Sequence, residues 1–333
     1  MLLHPAYKLT IGEEIVDTTS EPQASTAVSI TVTLDMEAPA DSFTLVLGQV
    51  GGFQPQREEE AKIALGFSDG DLTQVMVGQV LTADASLTTR RVIGHSPAQA
   101  LLTTFVDQTY ESMSAGQIVG NLADQAGVNV AEVQDGIMFS AYVVDGRSHI
   151  HHHMQNLADL CGFDLYINSD GELIFAQFQS GNSLHIFDYG KQIVELEVVQ
   201  TPPLAGEVQA WGESPGGSQA EEAWAWLTKD FSGLKGTADS GNPAQLLERP
   251  ALRTAEAAQT AADAAHTRIQ RRMLRGRLLS TGQPQVKLGD AIQLRNVPDD
   301  SLNSKFQVRS VVHHIDKTNG FTTRIGFRAL TTL

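Results

Sequence analysis

The chain has 333 residues, of which 41% are hydrophobic and 19% charged. This length suits roughly two or three domains, and this composition argues against disorder. The formal net charge of −16 disfavours nucleic-acid binding, because an acidic surface repels phosphates and releases no counterions from them. The single cysteine, Cys161, excludes an intrachain disulfide, and its apolar neighbours favour a buried structural thiol.

The sequence does not predict a membrane protein. No apolar run reaches the ~20 residues that a membrane helix needs. The first residues, MLLHPAYKLTIGEE, are too polar and too short for a signal peptide. We therefore expect synthesis in the cytoplasm, without an encoded export signal or a membrane segment.

Residues 1–95 predict a first β domain. Small or β-branched residues alternate with polar ones in short runs, and turn residues separate these runs. Short strands at this spacing are typical of a barrel or sandwich. The runs lie at residues 27–34, 43–47, 61–67 and 75–81.

Residues 96–183 change to a helical pattern and predict a small α/β domain. Ser114 is placed to start a capping box, and Gly127 to end the helix that follows. The same plan repeats with Ser148 as the predicted cap of a second helix and Gly162 as its end. The middle of the chain is therefore an α+β insert in a mainly β protein.

Residues 184–333 return to the β pattern and predict a second β domain. Strand patterns occur at 193–200 and 207–212, and the polar residues 213–250 are typical of a long loop. Residues 253–275 predict a helix, since they are Ala-rich with acidic residues early and basic residues late, which suits the helix dipole. Further strand patterns lie at residues 277–280, 291–294, 305–314 and 320–328.

Three stretches, taken in their order and spacing, carry a resemblance to a known family. The chain resembles the late control D family, which comprises the baseplate hub proteins of contractile phage tails, and the N-terminal hub part of VgrG spike proteins. The stretches are residues 40–47 (ADSFTLVL), residues 109–127 paired with 155–175, and the C-terminal run of 253–275, 276–294 (GRLLSTGQPQVKLGDAIQL) and 306–327 (FQVRSVVHHIDKTNGFTTRIGF).

The resemblance implies a structural protein rather than an enzyme, with no cofactor. Hubs of this family are homotrimers, and each subunit has two β-barrels with the fold of the tail-tube protein. Here these would be residues 1–95 and 184–333, flanking the insert. Three subunits form a pseudo-hexameric ring that joins the six-fold tube to a three-fold spike. Implied partners are the chain itself, the tail tube protein, a separate spike protein, other baseplate proteins and the tape measure protein.

Two other interpretations stay open. The same resemblance fits a hub of a phage-derived bacterial contractile injection system or tailocin, so the location is a phage virion or an assembled injection particle. From another class, a peptidoglycan-degrading tail enzyme or a carbohydrate-binding β protein would need a catalytic cleft or exposed aromatic residues. No GxSxG elbow is present, and only 6% of the residues are aromatic.

The charge suggests a hypothesis for the channel of such a ring. Three copies at −16 each carry −48 formal charges. If part of this charge lines the channel, DNA or another acidic cargo passes without specific binding, because like charges repel. The Ser- and Thr-rich strands fit a wetted channel wall, whereas charge on the outer wall would serve solubility alone.

The histidines are the most conspicuous polar residues. His149 and His153 lie at i and i+4 of the predicted helix, which makes them candidates for a metal site. No catalytic Glu lies between them, and a solvated or interface-facing run is favoured. His313 and His314 lie in a predicted strand, so one should face inward and the other outward.

Two further groups are candidates for subunit or spike interfaces. Tryptophans are frequent at interface centres, although a core role is the other interpretation. The basic end of the long helix breaks an acidic chain and suits pairing with acidic neighbours across an interface. The candidates are Trp211, Trp224, Trp226, Arg268, Arg271, Arg272 and Arg275.

Overall fold

The two ends of the chain meet in one large β-sheet, and the middle of the chain packs beside it. The molecule is described here by a computed structural model. The described residues are 4–22, 25–48, 53–179, 183–212, 214–215, 227–228 and 235–330.

Seven strands form the N-terminal part of the molecule. Their apolar residues alternate with polar ones, so that one face of each strand enters the core. In the third strand, for example, Ile30, Val32 and Leu34 are buried. The strands are β1 (Pro5–Ile11), β2 (Glu14–Asp17), β3 (Ala27–Asp35), β4 (Ser42–Gly48), β5 (Glu60–Phe67), β6 (Thr73–Ala85) and β7 (Thr89–His95).

The middle of the chain alternates helices and short strands, as predicted. The elements are α1 (Ala98–Thr103), β8 (Gln108–Ser114), α2 (Ala115–Gln125), β9 (Val130–Val133), β10 (Met138–Val144), α3 (Ile150–Cys161), β11 (Asp164–Ile167) and β12 (Leu173–Ala176). The antiparallel pair β8–β10 and the sheet β11–β12–β9 carry these strands.

The predicted helix boundaries are confirmed in three of four places. The Ser114 side chain accepts a hydrogen bond from the backbone of Gln117 and completes the capping box. Gly127 and Gly162 have φ of +69° and +71°, the left-handed conformation that glycine adopts without strain. The prediction of Ser148 as a cap is wrong. The next residue, His149, caps α3 through its ring Nδ1, which accepts from the backbone N–H of His152 at 3.2 Å.

The C-terminal part contains the remaining strands and one long helix. They are β13 (Leu184–Asp188), β14 (Ile193–Gln200), β15 (Glu207–Trp211), β16 (Ser214–Pro215), β17 (Leu227–Thr228), β18 (Gly236–Ala238), β19 (Ala244–Glu248), α4 (Ala255–Arg272), β20 (Leu274–Thr281), β21 (Ala291–Arg295), β22 (Lys305–Asp316) and β23 (Gly320–Ala329). A 3₁₀ turn covers Asp300–Leu302.

The prediction of a loop over residues 213–250 is wrong for its C-terminal part, which contains the strands β18 and β19. β18 and β19 flank β15 in a three-stranded sheet, with β18 antiparallel and β19 parallel to it. β19 is largely exposed, so its sequence lacks the alternation that signals a strand.

A seam joins the two ends of the chain. β3 and β22 pair antiparallel from Ser29 opposite Asp316 to Asp35 opposite Ser310. We call this pairing the β3–β22 seam. It creates one 13-stranded sheet with the order β14–β20–β23–β22–β3–β4–β7–β6–β5–β1–β2, in which β21 attaches β13 to β22. The predicted fold class, mainly β with two β-barrel units and an α+β insert, is confirmed.

The structure has two hydrophobic cores, and their members do not follow the three consecutive segments predicted from the sequence. One core contains both barrel units, and the other contains the insert together with β15 and α4. The buried face of α4 consists largely of alanines, such as Ala261 and Ala262, which let other elements approach closely. The domain boundaries at 95/96 and 183/184 stay a prediction, while α4 packs with the insert rather than with the second barrel.

The turn between β11 and β12 holds the insert against both barrel units. The Gln74 side chain of β6 donates to Asp170 Oδ1 at 2.7 Å. From the other side, Lys287 Nζ donates to Ser169 Oγ at 2.7 Å. A single turn thus contacts both halves of the fused sheet.

The first barrel unit packs so closely around Gly94 that this position has no room for a side chain. A Cβ at Gly94 would lie 2.2 Å from the Phe43 ring and 2.3 Å from the Gln79 carbonyl oxygen. We expect Gly94→Ala to lower the free energy of unfolding by about 1–3 kcal/mol through overpacking, measured by urea denaturation.

Gly120, in α2, is the matched control. A Cβ there meets nothing within 4 Å, so Gly120→Ala should stabilise the protein by roughly 0.5–1 kcal/mol. Equal free energies of unfolding for the two variants would contradict the packing of β4 against β7.

Candidate functional site

Eight consecutive strands, from β14 to β6, present one open face. Their other face is covered by the core of the barrel units. A row of mostly hydroxyl-bearing residues crosses five neighbouring strands on the open face, from Thr281 through Thr322, His314 and Thr31 to Thr44. These residues are half-buried at most, and their hydroxyl groups suit contact with water.

The open face is concave at its centre. A depression of about 410 Å³ lies over β3, β20, β22 and β23. Its lining residues are Thr31, Leu279, Val312, His314, Asn319, Thr322 and Arg324.

Charges of both signs alternate on the open face. Glu197 lies opposite Arg277 on the next strand, and Asp84 lies opposite Arg91. Arg324 is also exposed on this face. The acidic surplus of the chain is therefore not concentrated here, and the charges that are present are placed to compensate each other.

Both ends of the eight-strand sheet expose an edge. Among the described residues, β14 pairs with β20 alone, apart from a single bridge between Tyr189 and Ile193. At the other end, β5 covers the first half of β6, and residues 81–85 pair only with β7. Exposed apolar side chains mark both edges, with Val194 61% exposed and Leu81 41% exposed. Such edges favour pairing with another strand.

The predicted orientation of the paired histidines is confirmed. His313 is fully buried, and its Nδ1 lies 3.0 Å from Thr323 Oγ1. Burial lowers the pKa of His313 to about 3, so the ring stays neutral. His314 faces the open side, with Nδ1 2.9 Å from Thr31 Oγ1. Both histidines have structural contacts.

A second feature is a polar cleft of about 510 Å³ where the insert, α4 and the β3–β22 seam meet. We call it the arginine cleft. Its charged lining residues are Glu37, Asp159, Asp164, Asp263, Arg268, Arg271, Arg272, Arg309 and Arg328. Three of the predicted interface arginines come together here because positions i, i+3 and i+4 share one side of α4. The fourth, Arg275, lies outside the cleft in β20, opposite Arg328.

Ion pairs fill one side of the arginine cleft. Arg309, on β22, pairs with Asp164 of β11 and with Glu37, the latter at 2.9 Å. Arg328, on β23, reaches the same Glu37 carboxylate at 3.1 Å. Arg268 pairs with Asp159 at 3.2 Å. These contacts fasten the insert to the strand that forms the seam.

The pKa values of these side chains reflect both their burial and the opposite charges beside them. Burial alone would lower the pKa of Arg309, but Asp164 and Glu37 outweigh burial and raise it. Burial would raise the pKa of Glu37, but Arg328 and Arg309 lower it. The paired side chains are therefore held in their charged forms.

The predicted metal pair is not brought together as ligands. His149 uses its Nδ1 to cap α3, and His153 is buried with Nε2 3.1 Å from the Asp145 carbonyl oxygen. His151 lines the arginine cleft, where burial, with the nearby His149 and His152, lowers its pKa to about 4. No group of three or more metal-ligating side chains occurs within the described ranges.

Of the three candidate tryptophans, Trp211 is among the described residues. Trp211 ends β15 and is half-buried, with its carbonyl oxygen accepting from Arg249 N at 3.0 Å. Trp224 and Trp226 lie outside the described residues.

Cys161 is buried and unbridged, and burial raises the pKa of its thiol to about 11. The predicted burial of this thiol is thus confirmed.

The Arg309 ion pair gives a test of how the insert is held. Arg309 is 16% exposed and Asp164 is 14% exposed. We expect Arg309→Met to lower the free energy of unfolding by about 2–4 kcal/mol, because the buried Asp164 loses its counterion and Glu37 keeps only Arg328. Lys62→Met is the control, since Lys62 pairs with Glu60 on the surface and should cost no more than about 1 kcal/mol. Equal losses in urea denaturation would show that the cleft pair does not fasten the insert.

Asp41 gives a pH-dependent test. It is buried between β3 and β4, where burial raises its pKa to about 7. The folded state thus holds a proton that the unfolded chain releases near pH 4, so stability falls as pH rises towards 7. We expect the stability advantage of Asp41→Asn over the wild type to grow by roughly 1–3 kcal/mol between pH 5 and pH 8.

Exposed Asp71 supplies the control for Asp41. Asp71→Asn should shift stability equally at both pH values in thermal or urea denaturation. A flat profile for Asp41→Asn as well would mean that Asp41 is charged in the folded state at pH 5.

No protein-family model matches the sequence, and no curated protein matches it. No described helix is long and apolar enough to cross a membrane.

Solved structures do match the fold over nearly its whole length. The tail protein from Neisseria meningitidis MC58 has a TM-score of 0.71 at 13% identity, covering 98% of this chain and 97% of that chain. The 43 kDa tail protein of prophage MuSo2 from Shewanella oneidensis has a TM-score of 0.69 at 14% identity, covering 97% and 98%.

A secretion-system protein has a related fold. The E. coli c3393 protein is described as a component of the type VI secretion system with structural similarity to the T4 tail proteins gp27 and gp5. Its TM-score is 0.58 at 10% identity, covering 96% of this chain and 76% of that chain. The predicted resemblance to tail proteins is thus confirmed at the level of the fold, which the chain shares with phage tail proteins and with a component of the type VI secretion system.

Proposed function

We propose that the protein is a structural hub of a contractile tail or a related injection machine, and that three copies form a closed ring. The observation that carries the proposal is the continuous eight-strand sheet with an exposed edge at each end. The fold shared with tail proteins supports a structural role in a tail.

Ring closure follows from the two exposed edges. In the proposed ring, the outer edge of β14 in one copy pairs with residues 81–85 of β6 in the next copy. Cyclic symmetry then pairs every edge, which removes the hazard that open edges pose. Three copies with eight strands each give a barrel of 24 strands, and the two barrel units of each copy make the ring pseudo-hexameric.

The open face lines the channel in this arrangement. It is concave, and its central row carries hydroxyl groups, which supports a wetted wall. The compensated charges on this face replace our simpler hypothesis of an acidic wall. DNA or another cargo would pass because no continuous basic stripe is present on the described part of the face to hold phosphates.

The proposed ring matches two symmetries at once. Its six barrel units offer a template for a six-fold tube, and its three copies offer a seat for a three-fold spike. The partners we propose are therefore the tail tube protein, a spike protein, other baseplate proteins and the tape measure protein. The particle would be a phage virion or a phage-derived injection system.

Molar mass in solution tests the ring. We expect light scattering to give about 108 kDa, three times the 35.9 kDa of one chain. Val194→Lys, at the exposed edge of β14, should shift this mass towards one chain, because a charged side chain at an edge opposes strand pairing.

The chain offers a closely matched control in Ile15. Ile15 is 60% exposed and Val194 is 61% exposed, and both lie on edge strands, but Ile15 belongs to β2, outside the proposed ring contact. Ile15→Lys should leave the trimer intact. A monomer for the wild type at high concentration, or equal effects of the two variants, would contradict the proposal.

A further inference from the structure

The arginine cleft contains two guanidinium groups that no carboxylate among the described residues contacts directly. Arg271 and Arg272 make no hydrogen bond or ion pair with the described residues. The Nε atom of Arg271 is moreover fully shielded from solvent and has no acceptor. Buried polar groups and charges normally have partners, because removing them from water without one costs several kcal/mol.

The charge balance of the cleft is the reverse of that of the chain. Five arginines line it against four carboxylates, whereas the whole chain has a net charge of −16. Three of these carboxylates, those of Glu37, Asp159 and Asp164, already pair with Arg268, Arg309 or Arg328. The fourth, Asp263, accepts from Gln259 at 3.0 Å. Three of the four carboxylates are thus held in ion pairs, and the five guanidinium groups exceed the four carboxylates by one charge.

The arginines also affect each other. Burial lowers the pKa of Arg268, Asp159 and Glu37 oppose this, and the neighbouring Arg272 and Arg309 lower it further. Burial lowers the pKa of Arg271 as well, although the nearby Asp164 opposes this shift. Crowded, partly desolvated cations create a local positive potential that an incoming anion would relieve.

We propose that the arginine cleft binds an acidic peptide segment of a neighbouring protein, with Arg271 and Arg272 receiving its carboxylates. Guanidinium groups bind carboxylates through two parallel hydrogen bonds, which suits Asp and Glu side chains. The volume of about 510 Å³ admits several residues rather than a single small ion. Gln155 and Thr267 line the same cleft and offer hydrogen bonds to a peptide backbone.

The position of the cleft gives this binding a structural consequence. The cleft lies where α3, α4 and the seam strand β22 meet, so a bound segment would contact the insert and the second barrel unit together. The proposal does not depend on ring closure, because all its residues lie within one chain.

A labelled hexaglutamate peptide is the probe, with hexaglutamine as the uncharged control. We expect hexaglutamate to bind the full chain in fluorescence anisotropy, hexaglutamine not to bind, and the affinity to fall as salt rises. The double variant Arg271→Gln, Arg272→Gln should bind at least about tenfold more weakly, because it loses two charge-assisted contacts.

Arg275 and Arg277 provide the matched control, since both are exposed on β20, just beyond the same helix. The double variant Arg275→Gln, Arg277→Gln should bind as the wild type does. If the cleft variant does not fold by circular dichroism, Arg272→Gln alone replaces it, because Arg272 is exposed.

Several outcomes would overturn the proposal. These are no hexaglutamate binding by the wild type, equal losses in both double variants, and displacement of the peptide by inorganic phosphate or oligothymidylate at matched charge concentration. Displacement by phosphate would indicate a small-anion site, and displacement by the oligonucleotide alone would indicate a nucleic-acid site.

Discussion

The antiparallel pairing of β3 with β22 is the constraint on which the architecture depends. It joins residues as distant in sequence as Thr31 and His314, which are 283 positions apart, and it makes one sheet from two barrel units. Because backbone hydrogen bonds fix the relative position of paired strands, the two units cannot rotate independently. Everything proposed about a ring requires this fixed geometry, since both exposed edges belong to the same curved sheet.

The insert reinforces that constraint instead of standing apart from it. Arg309 lies on the seam strand itself and reaches Asp164 in the insert and Glu37 just after β3. The turn at Ser169 and Asp170 contacts the second and the first barrel unit in turn. One buried ionic cluster and one polar turn thus hold the insert across the junction. The same crowding of arginines leaves Arg271 and Arg272 without a hydrogen-bonded or ion-paired carboxylate among the described residues, so the cleft both holds the insert and is a candidate binding site.

Local signals in the sequence predicted local structure well. The capping box at Ser114 and the glycine end at Gly162 depend on residues a few positions apart, and both were predicted correctly. The capping role of His149 was missed because a ring nitrogen only seldom replaces a hydroxyl or carboxylate in this position. Strand β19 was missed because its side chains are mostly exposed and do not alternate. The basic end of α4 was recognised, but not its cleft, since Glu37, Asp164 and Arg309 are distant in sequence and join only in the folded chain.

The central claim is that the exposed edge of β14 meets that of β6 in a neighbouring copy, and electron microscopy of the isolated oligomer tests it most directly. The account predicts a closed ring with three-fold symmetry, a continuous β wall, and β14 beside residues 81–85 of the adjacent subunit. A two-fold assembly, an open filament, or a ring whose subunits touch through other surfaces would contradict it.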